Sequence, residues 1–255
     1  MPTNFPADMQ PIIGCGRCAV DLPFSFSFAF QPIVNVSTKS IFGYEALVRG
    51  GDGAPAWSVL NRVNDDNRYM FDQACRVTAI RLASKLNLQA VLSINFLPNA
   101  VYEPDHCIRS TLQAADEENF PIENLMFEIT ESEQVHDSKH LTKIFKSYTD
   151  RGFITAIDDF GAGHAGLNLL ASFQPRVLKI DMELIRDVDS NPVKQVIVDS
   201  LVTMCKRLAV TPLAEGVETL AEVEHFKALG VELMQGYFFA KPGFEALPEV
   251  DFDSF

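Results

Sequence analysis

No stretch of this 255-residue chain reaches the roughly 18 consecutive apolar residues that a membrane-spanning helix needs. The amino terminus, MPTNFPADMQPIIG, has neither a basic opening nor a long apolar core. No targeting signal is read there, and the cytoplasm is the expected compartment. Positive charge is scarce: 21 Lys and Arg face 34 Asp and Glu, for a formal net charge of −13. Coating nucleic acid needs a basic stripe and adsorbing to anionic lipid needs a basic patch, so neither DNA nor a membrane is an expected partner. An anionic substrate stays open if metal ions bring positive charge to it. Linkers and low-complexity tracts are missing too, and the length suits one α/β barrel of about 250 residues.

Cysteine is sparse. Cys75, Cys107 and Cys205 fall in apolar, helix-like runs and read as buried thiols. Cys15-Gly-Arg-Cys18 has the spacing of a redox pair or half a zinc site. No second Cys/His pair of matching spacing lies near it, which sets it apart from the main chemistry. It remains a candidate regulatory input.

What is present is order. Residues 1–22, rich in Pro and Gly, read as an irregular arm, and 23–255 as a single domain. Phe24, Phe26, Phe28 and Phe30 alternate with small residues, the period of a strand with one aromatic face. A turn at Ser37–Ser40 leads into IFGYEALVRG, so the chain opens with a hairpin. Asn67 to Leu86 has helical spacing. From residue 90 strand and helix alternate: strands at 90–95, 125–131, 153–159, 176–181, 210–216 and 231–239, and helices at 140–152, 192–209 and 219–230. Gly152 and Gly230 mark helix ends, and Pro192 opens a first turn. The pattern predicts an α/β fold, a TIM-like (β/α)8 barrel whose first strand runs antiparallel to the rest.

Barrel strands are covered on both faces and should be apolar, so their polar exceptions are informative. They are Glu45, Asn95, Glu128, Glu131, Asp158, Asp159, Lys179, Asp181, Glu215 and Gln235, nearly all at the carboxyl ends of strands. Those ends converge on one face of a barrel, where active sites sit. Any one of these acids alone reads as a helix cap or a surface residue; together Glu45, Asn95, Glu128, Asp158, Asp159 and Glu215 would form a cage of oxygen ligands. Such crowded carboxylates raise one another's pKa unless a cation lies among them. Oxygen ligands favour a hard ion, Mg²⁺ or Mn²⁺, and adjacent acids suit a two-metal site. Lys179, flanked by Leu178 and Ile180, is costly to bury unless paired or functional.

These residues stand in motifs that resemble the EAL-domain phosphodiesterases, which hydrolyse cyclic di-GMP to linear pGpG. Glu45-Ala46-Leu47 is followed by Val48-Arg49; FQPIV, INF, FEITE, DDFGAG, LKID, AEGVE and QGYFFAKP occur in family order between residues 28 and 242. The wording of EALVRG, NRYMFDQACR and SINFLPNAVYEP is most similar to the EAL domains of BLUF–EAL proteins, although these residues include no photosensor.

The resemblance implies that Glu45, Asn95, Glu128 and Asp158 hold one metal ion and that Asp158, Asp159 and Glu215 face a second. It implies a catalytic set of Glu45, Asp159, Lys179 and Glu215, with Lys179 contacting the attacking water and Glu215 either a ligand or a general base. Gln31, Leu47, Arg49, Asn95 and Gln235 match substrate or water contacts, Arg49 as a phosphate clamp. Glu131 matches a brace for the loop after Asp159, and that loop with its helix matches the homodimer interface. Gly50 and His164, in GAGHAGL, depart from the commoner family wording and put loop stability and dimer packing in question. The alternative function is a non-catalytic cyclic di-GMP receptor, or a regulator acting through a protein partner.

Overall fold

The structure is a computed structural model that describes residues 22–101, 103–130, 138–163 and 166–255. Cys15, Cys18, Glu131 and His164 lie outside the described residues, as does almost all of the expected arm.

Strands β1 (Phe26–Asn35) and β2 (Ser40–Gly50) form the expected antiparallel hairpin. Then come α1 (Trp57–Leu60), α2 (Arg68–Lys85), β3 (Val91–Asn95), α3 (Pro104–Cys107), α4 (Arg109–Glu117) and β4 (Leu125–Thr130). Next are α5 (Ser138–Asp150), β5 (Ile154–Phe160), α6 (Gly166–Ser172), β6 (Val177–Ile180) and α7 (Met182–Ile185). The chain closes with α8 (Pro192–Arg207), β7 (Thr211–Ala214), α9 (Leu220–Ala228), β8 (Leu233–Met234) and β9 (Gly243–Phe244).

The strands run β2-β3-β4-β5-β6-β7-β8-β1 and back to β2, closing an eight-stranded barrel, with β9 laid against β1. Strands β2 to β8 pair in parallel, and β1 is antiparallel to both neighbours. The TIM-like barrel with an antiparallel first strand is therefore present as expected. Helix signals also held: Pro192 opens α8 behind an Asn191 cap, and Gly152, at φ +93°, ends the turn after α5.

One element is shorter than its apolar run predicts. VELMQGYFF reads as a strand, but only Leu233–Met234 pair as one. Beyond them the chain folds over β7: Gln235 N–H bonds Ala214 O at 2.8 Å, and Val217 N–H bonds Gln235 O at 3.1 Å. A Cβ on Gly236 would lie 2.0 Å from the Val217 carbonyl oxygen, so this crossing needs glycine.

The barrel interior is layered by the two-residue period of its strands. The lower layer is apolar, built from Ile33, Val91, Met126, Ile154, Ala156, Val177, Leu213 and Leu233. Intervening residues such as Leu92, Phe127, Ile157, Leu178 and Ile180 point outward into two larger apolar clusters under the helices. One further step of two along each strand reaches the upper layer, which is polar. Glu45 pairs across from Gln31 and Ser93, and Asn95 across from Glu128.

Candidate active site

Lys179 stands at the centre of that upper layer, fully buried. Its Nζ lies 2.8 Å from Asp158 Oδ1, 2.8 Å from Glu215 Oε1, 2.9 Å from Glu128 Oε2 and 3.4 Å from Glu45 Oε2. The expected cost of burying this lysine is thus met by four carboxylates from β2, β4, β5 and the end of β7. Burial alone would strip its proton, but Asp158, Glu128, Glu215 and Glu45 together hold its pKa well above the ordinary lysine value.

One ammonium does not balance these acids. Burial, then Glu45 and Asp158, push Glu128 up to about 8, against the lowering pull of Lys179. Burial and Asp158 also raise Glu215 well above the carboxylate range. Asp159 is pushed up to about 6 by burial and then by Asp158.

The adjacency of Asp158 and Asp159 has a geometric basis. Successive residues of a regular strand face opposite ways. Here Asp159 is left-handed, at φ +54°, and the β5–β6 register shifts between Ile157 and Phe160. Both aspartates therefore line one cleft. That cleft, about 500 Å³, is also walled by Gln31, Glu45, Leu47, Asn95, Thr130, Asp181, Met182, Glu215, Gly216, Glu218, Gln235, Gly236 and Tyr237. Glu128 and Lys179 lie just beneath it.

Amides orient the acids. Asn95 Nδ2 donates to Glu45 Oε1 at 3.0 Å, and Gln235 Nε2 to Glu45 Oε2 at 2.8 Å and to Gln31 Oε1 at 3.1 Å. Ser93 Oγ hydrogen-bonds Glu128 Oε1.

Two groups of carboxylate oxygens lie within 4.8 Å of one another: Glu45, Glu128 and Asp158, and Asp158, Asp159 and Glu215. They share Asp158, whose Oδ1 is ion-paired to Lys179 Nζ at 2.8 Å. An all-oxygen set whose negative charge one lysine does not balance fits a hard divalent cation.

The sequence-predicted residues do not all meet here. Glu45, Asn95, Glu128, Asp158, Asp159, Lys179, Glu215, Gln31, Leu47 and Gln235 converge. Asp181 reaches the cleft wall but also serves as the N-cap of α7, accepting Glu183 N–H at 2.9 Å. Arg49 is half-buried and donates to the Val48 carbonyl at 2.8 Å; it is not in the cleft wall. Ser93 escaped the sequence reading, although a hydroxyl two residues before Asn95 is the signal a period of two supplies. Met182 and Tyr237, 44% and 56% exposed at the mouth, carry no sequence signal. A larger groove of about 770 Å³, between α6 and α8, has no comparable acid cluster.

The family described as EAL domain matches residues 24–242. The blue light- and temperature-regulated antirepressor BluF of Escherichia coli K12 is 33% identical over 91% of this chain and 58% of its own length. The probable cyclic di-GMP phosphodiesterase PdeG of E. coli K12 is 29% identical over 84% of this chain and 44% of its own. The chain thus spans about half the length of these curated relatives. Among solved structures, a standalone versatile EAL protein from Vibrio cholerae O395, bound to c-di-GMP, is 58% identical. It covers 91% of this chain and 99% of its own, with a TM-score of 0.89. BlrP1 of Klebsiella pneumoniae, as a manganese/cy-diGMP complex, is 35% identical over 90% of this chain and 59% of its own, with a TM-score of 0.83.

Proposed function

The chain belongs to the EAL domain family, and on that premise we propose that it is a cytoplasmic, divalent-metal-dependent phosphodiesterase that opens cyclic di-GMP to linear pGpG. The observation that carries the reading is the pair of carboxylate groups sharing Asp158 around Lys179. Relatives named as cyclic di-GMP phosphodiesterases and neighbours crystallised with the nucleotide supply the substrate class.

Glu45, Asn95, Glu128 and Asp158 would hold one Mg²⁺ or Mn²⁺, and Asp158, Asp159 and Glu215 a second. Such ions acidify water and neutralise charge on a phosphoryl oxygen. The protein does the rest. Asn95 and Gln235 fix both oxygens of Glu45, and Ser93 and Lys179 fix both oxygens of Glu128. Lys179, kept protonated, concentrates positive charge beneath the cleft and holds the attacking water. Where Glu215 is not a ligand it serves as the general base, accepting a proton from that water as its oxygen adds to phosphorus. The bond from phosphorus to the ribose 3′-oxygen breaks, and that oxygen regains a proton. The walls made by Gln31, Leu47 and Tyr237 seat the nucleotide, and Arg49 reaches a phosphate only if it leaves the Val48 carbonyl. By the family resemblance Glu131 would brace the loop after Asp159.

A second copy of the chain is the partner we assign to α6 and its preceding loop, where Leu167 is 64% exposed. Light scattering should give a dimer, and Leu167→Asp a monomer; a monomeric wild type refutes the assignment.

The second reading is a receptor or protein-partner regulator. It is favoured by the antirepressor name of the BluF relative and by acids already ion-paired to Lys179. Purified protein incubated with cyclic di-GMP in Mg²⁺, Mn²⁺ or EDTA separates the two. Metal-dependent pGpG formation, reduced at least 100-fold in Glu45→Ala, is expected, a loss of about 3 kcal/mol of transition-state stabilisation. Tight nucleotide binding without turnover in either metal would sink the enzyme reading and leave the receptor.

A further inference from the structure

Outside the cleft, α2 and its surroundings hold a charged network that the proposed chemistry does not use. Asp72 and Arg76 form an ion pair one helical turn apart, 2% and 0% exposed. Such a pair gains little over apolar residues of the same volume. Fold stability is therefore a poor account of it, and its other contacts give a better one.

Asp72 Oδ1 accepts the backbone N–H of Leu97 at 2.9 Å. Leu97 lies two residues beyond Asn95. Arg76 donates to the Tyr148 hydroxyl on α5 at 3.1 Å, and its guanidinium lies 5.9 Å from the ring centre of Phe127, the residue before Glu128. Between these, Phe96 packs on Phe127 and Tyr148 at 6.1 and 5.6 Å between ring centres, and its N–H bonds the Glu128 carbonyl at 3.0 Å. The network therefore grips the exits of β3 and β4, which carry Asn95 and Glu128.

We propose that Asp72, locked by Arg76, is a positioning residue for the cation site: it pins the chain beyond β3 so that Asn95 stays bonded to Glu45 and faces the acids. The inference rests on the reading of the cleft as a cation site. Neutral replacement separates the tether from the charge. Asp72→Leu with Arg76→Met removes the ion pair and the Leu97 acceptor together. Asp72→Asn with Arg76→Met removes the charges but keeps a side-chain oxygen for the Leu97 N–H.

The test measures Mn²⁺ binding to the full chain without nucleotide, by calorimetry, and amide hydrogen exchange at Leu97, by NMR. Partners behind metal ligands commonly carry about 10- to 100-fold of affinity. The leucine/methionine variant is expected to bind Mn²⁺ at least tenfold more weakly, with faster exchange at Leu97. The asparagine/methionine variant is expected to return to within about threefold of wild type on the same scale. Equal affinities in the two variants overturn the proposal. If neither variant folds, the wild type decides: exchange of the Leu97 amide as fast as that of exposed turns also overturns it. A wild type that binds no Mn²⁺ refutes the cleft reading and with it the role of the tether, while the exchange data still report whether the tether exists.

Discussion

Lys179→Met would remove one ammonium from among four carboxylates while leaving a side chain of similar length in the barrel. All four partners lie within 3.4 Å of Nζ, and the lysine is fully buried. Breaking a buried pair by removing one partner costs about 3–5 kcal/mol, because charge is left uncompensated. For a chain of this size each kcal/mol moves Tm by about 2–4 °C, so metal-free variant should melt roughly 6–20 °C lower. The loss should depend on pH. Glu128 titrates at about 8 and Asp159 at about 6 in the folded protein, both above their unfolded values. The folded state therefore binds more protons than the unfolded chain between about pH 4 and 8, and its stability falls as pH rises through that window. Lys179 lowers Glu128, so its loss widens the window upward. In EDTA the wild type should melt lower at pH 8 than at pH 5.5. The variant should show a steeper fall, with most of its deficit at pH 8 and a larger gain in Tm on adding Mn²⁺. Hydrolysis of cyclic di-GMP should be lost in the variant even in saturating Mn²⁺. Melting by circular dichroism at the two pH values checks all but the last. A deficit under 2 °C that is equal at both pH values would refute the electrostatic account of this cluster, whatever the activity.

Two further substitutions probe the supports of the site. Gly236→Ala puts a methyl group 2.0 Å from the Val217 carbonyl oxygen, so the Glu215 loop must move. A loss of about 2 kcal/mol or more in urea unfolding is expected, together with loss of hydrolysis, and an unchanged midpoint would contradict the close approach. Ser93→Ala takes a hydroxyl from buried Glu128. Mn²⁺ affinity should fall about tenfold, and Tm by roughly 2–12 °C because a buried carboxylate oxygen loses its donor; equal affinity would mean that Lys179 alone orients Glu128.

Much of the fold was written locally. Alternating Phe and small residues specified β1, and the runs at 90–95, 125–131 and 176–181 specified buried parallel strands. Each carries a polar residue where a two-residue step from the apolar layer reaches the upper barrel. That regularity is why Glu45, Asn95, Glu128, Asp158, Lys179 and Glu215 could be read as one group: periodicity is a property of neighbouring residues, and the barrel only brings equivalent positions together.

What the chain pattern could not state is which groups meet and in what pose. Lys179 and Glu128 are 51 positions apart, and their contact exists only because the barrel closes. The left-handed turn at Asp159 breaks the alternation that would have sent it away from Asp158, and no local signal announces it. The apolar run at 231–239 promised a full strand, but backbone pairing with the β7 loop claims most of it. Arg49 has the right chemistry for a phosphate, yet its guanidinium is held by the neighbouring carbonyl. Asp72 and Arg76 sit in a run whose spacing reads as an ordinary helix, and only packing against β3, β4 and α5 makes them a tether. Local periodicity determined the layers. The contacts within each layer were decided by tertiary structure, because hydrogen bonds and ion pairs depend on distances of a few ångströms that only the closed barrel sets.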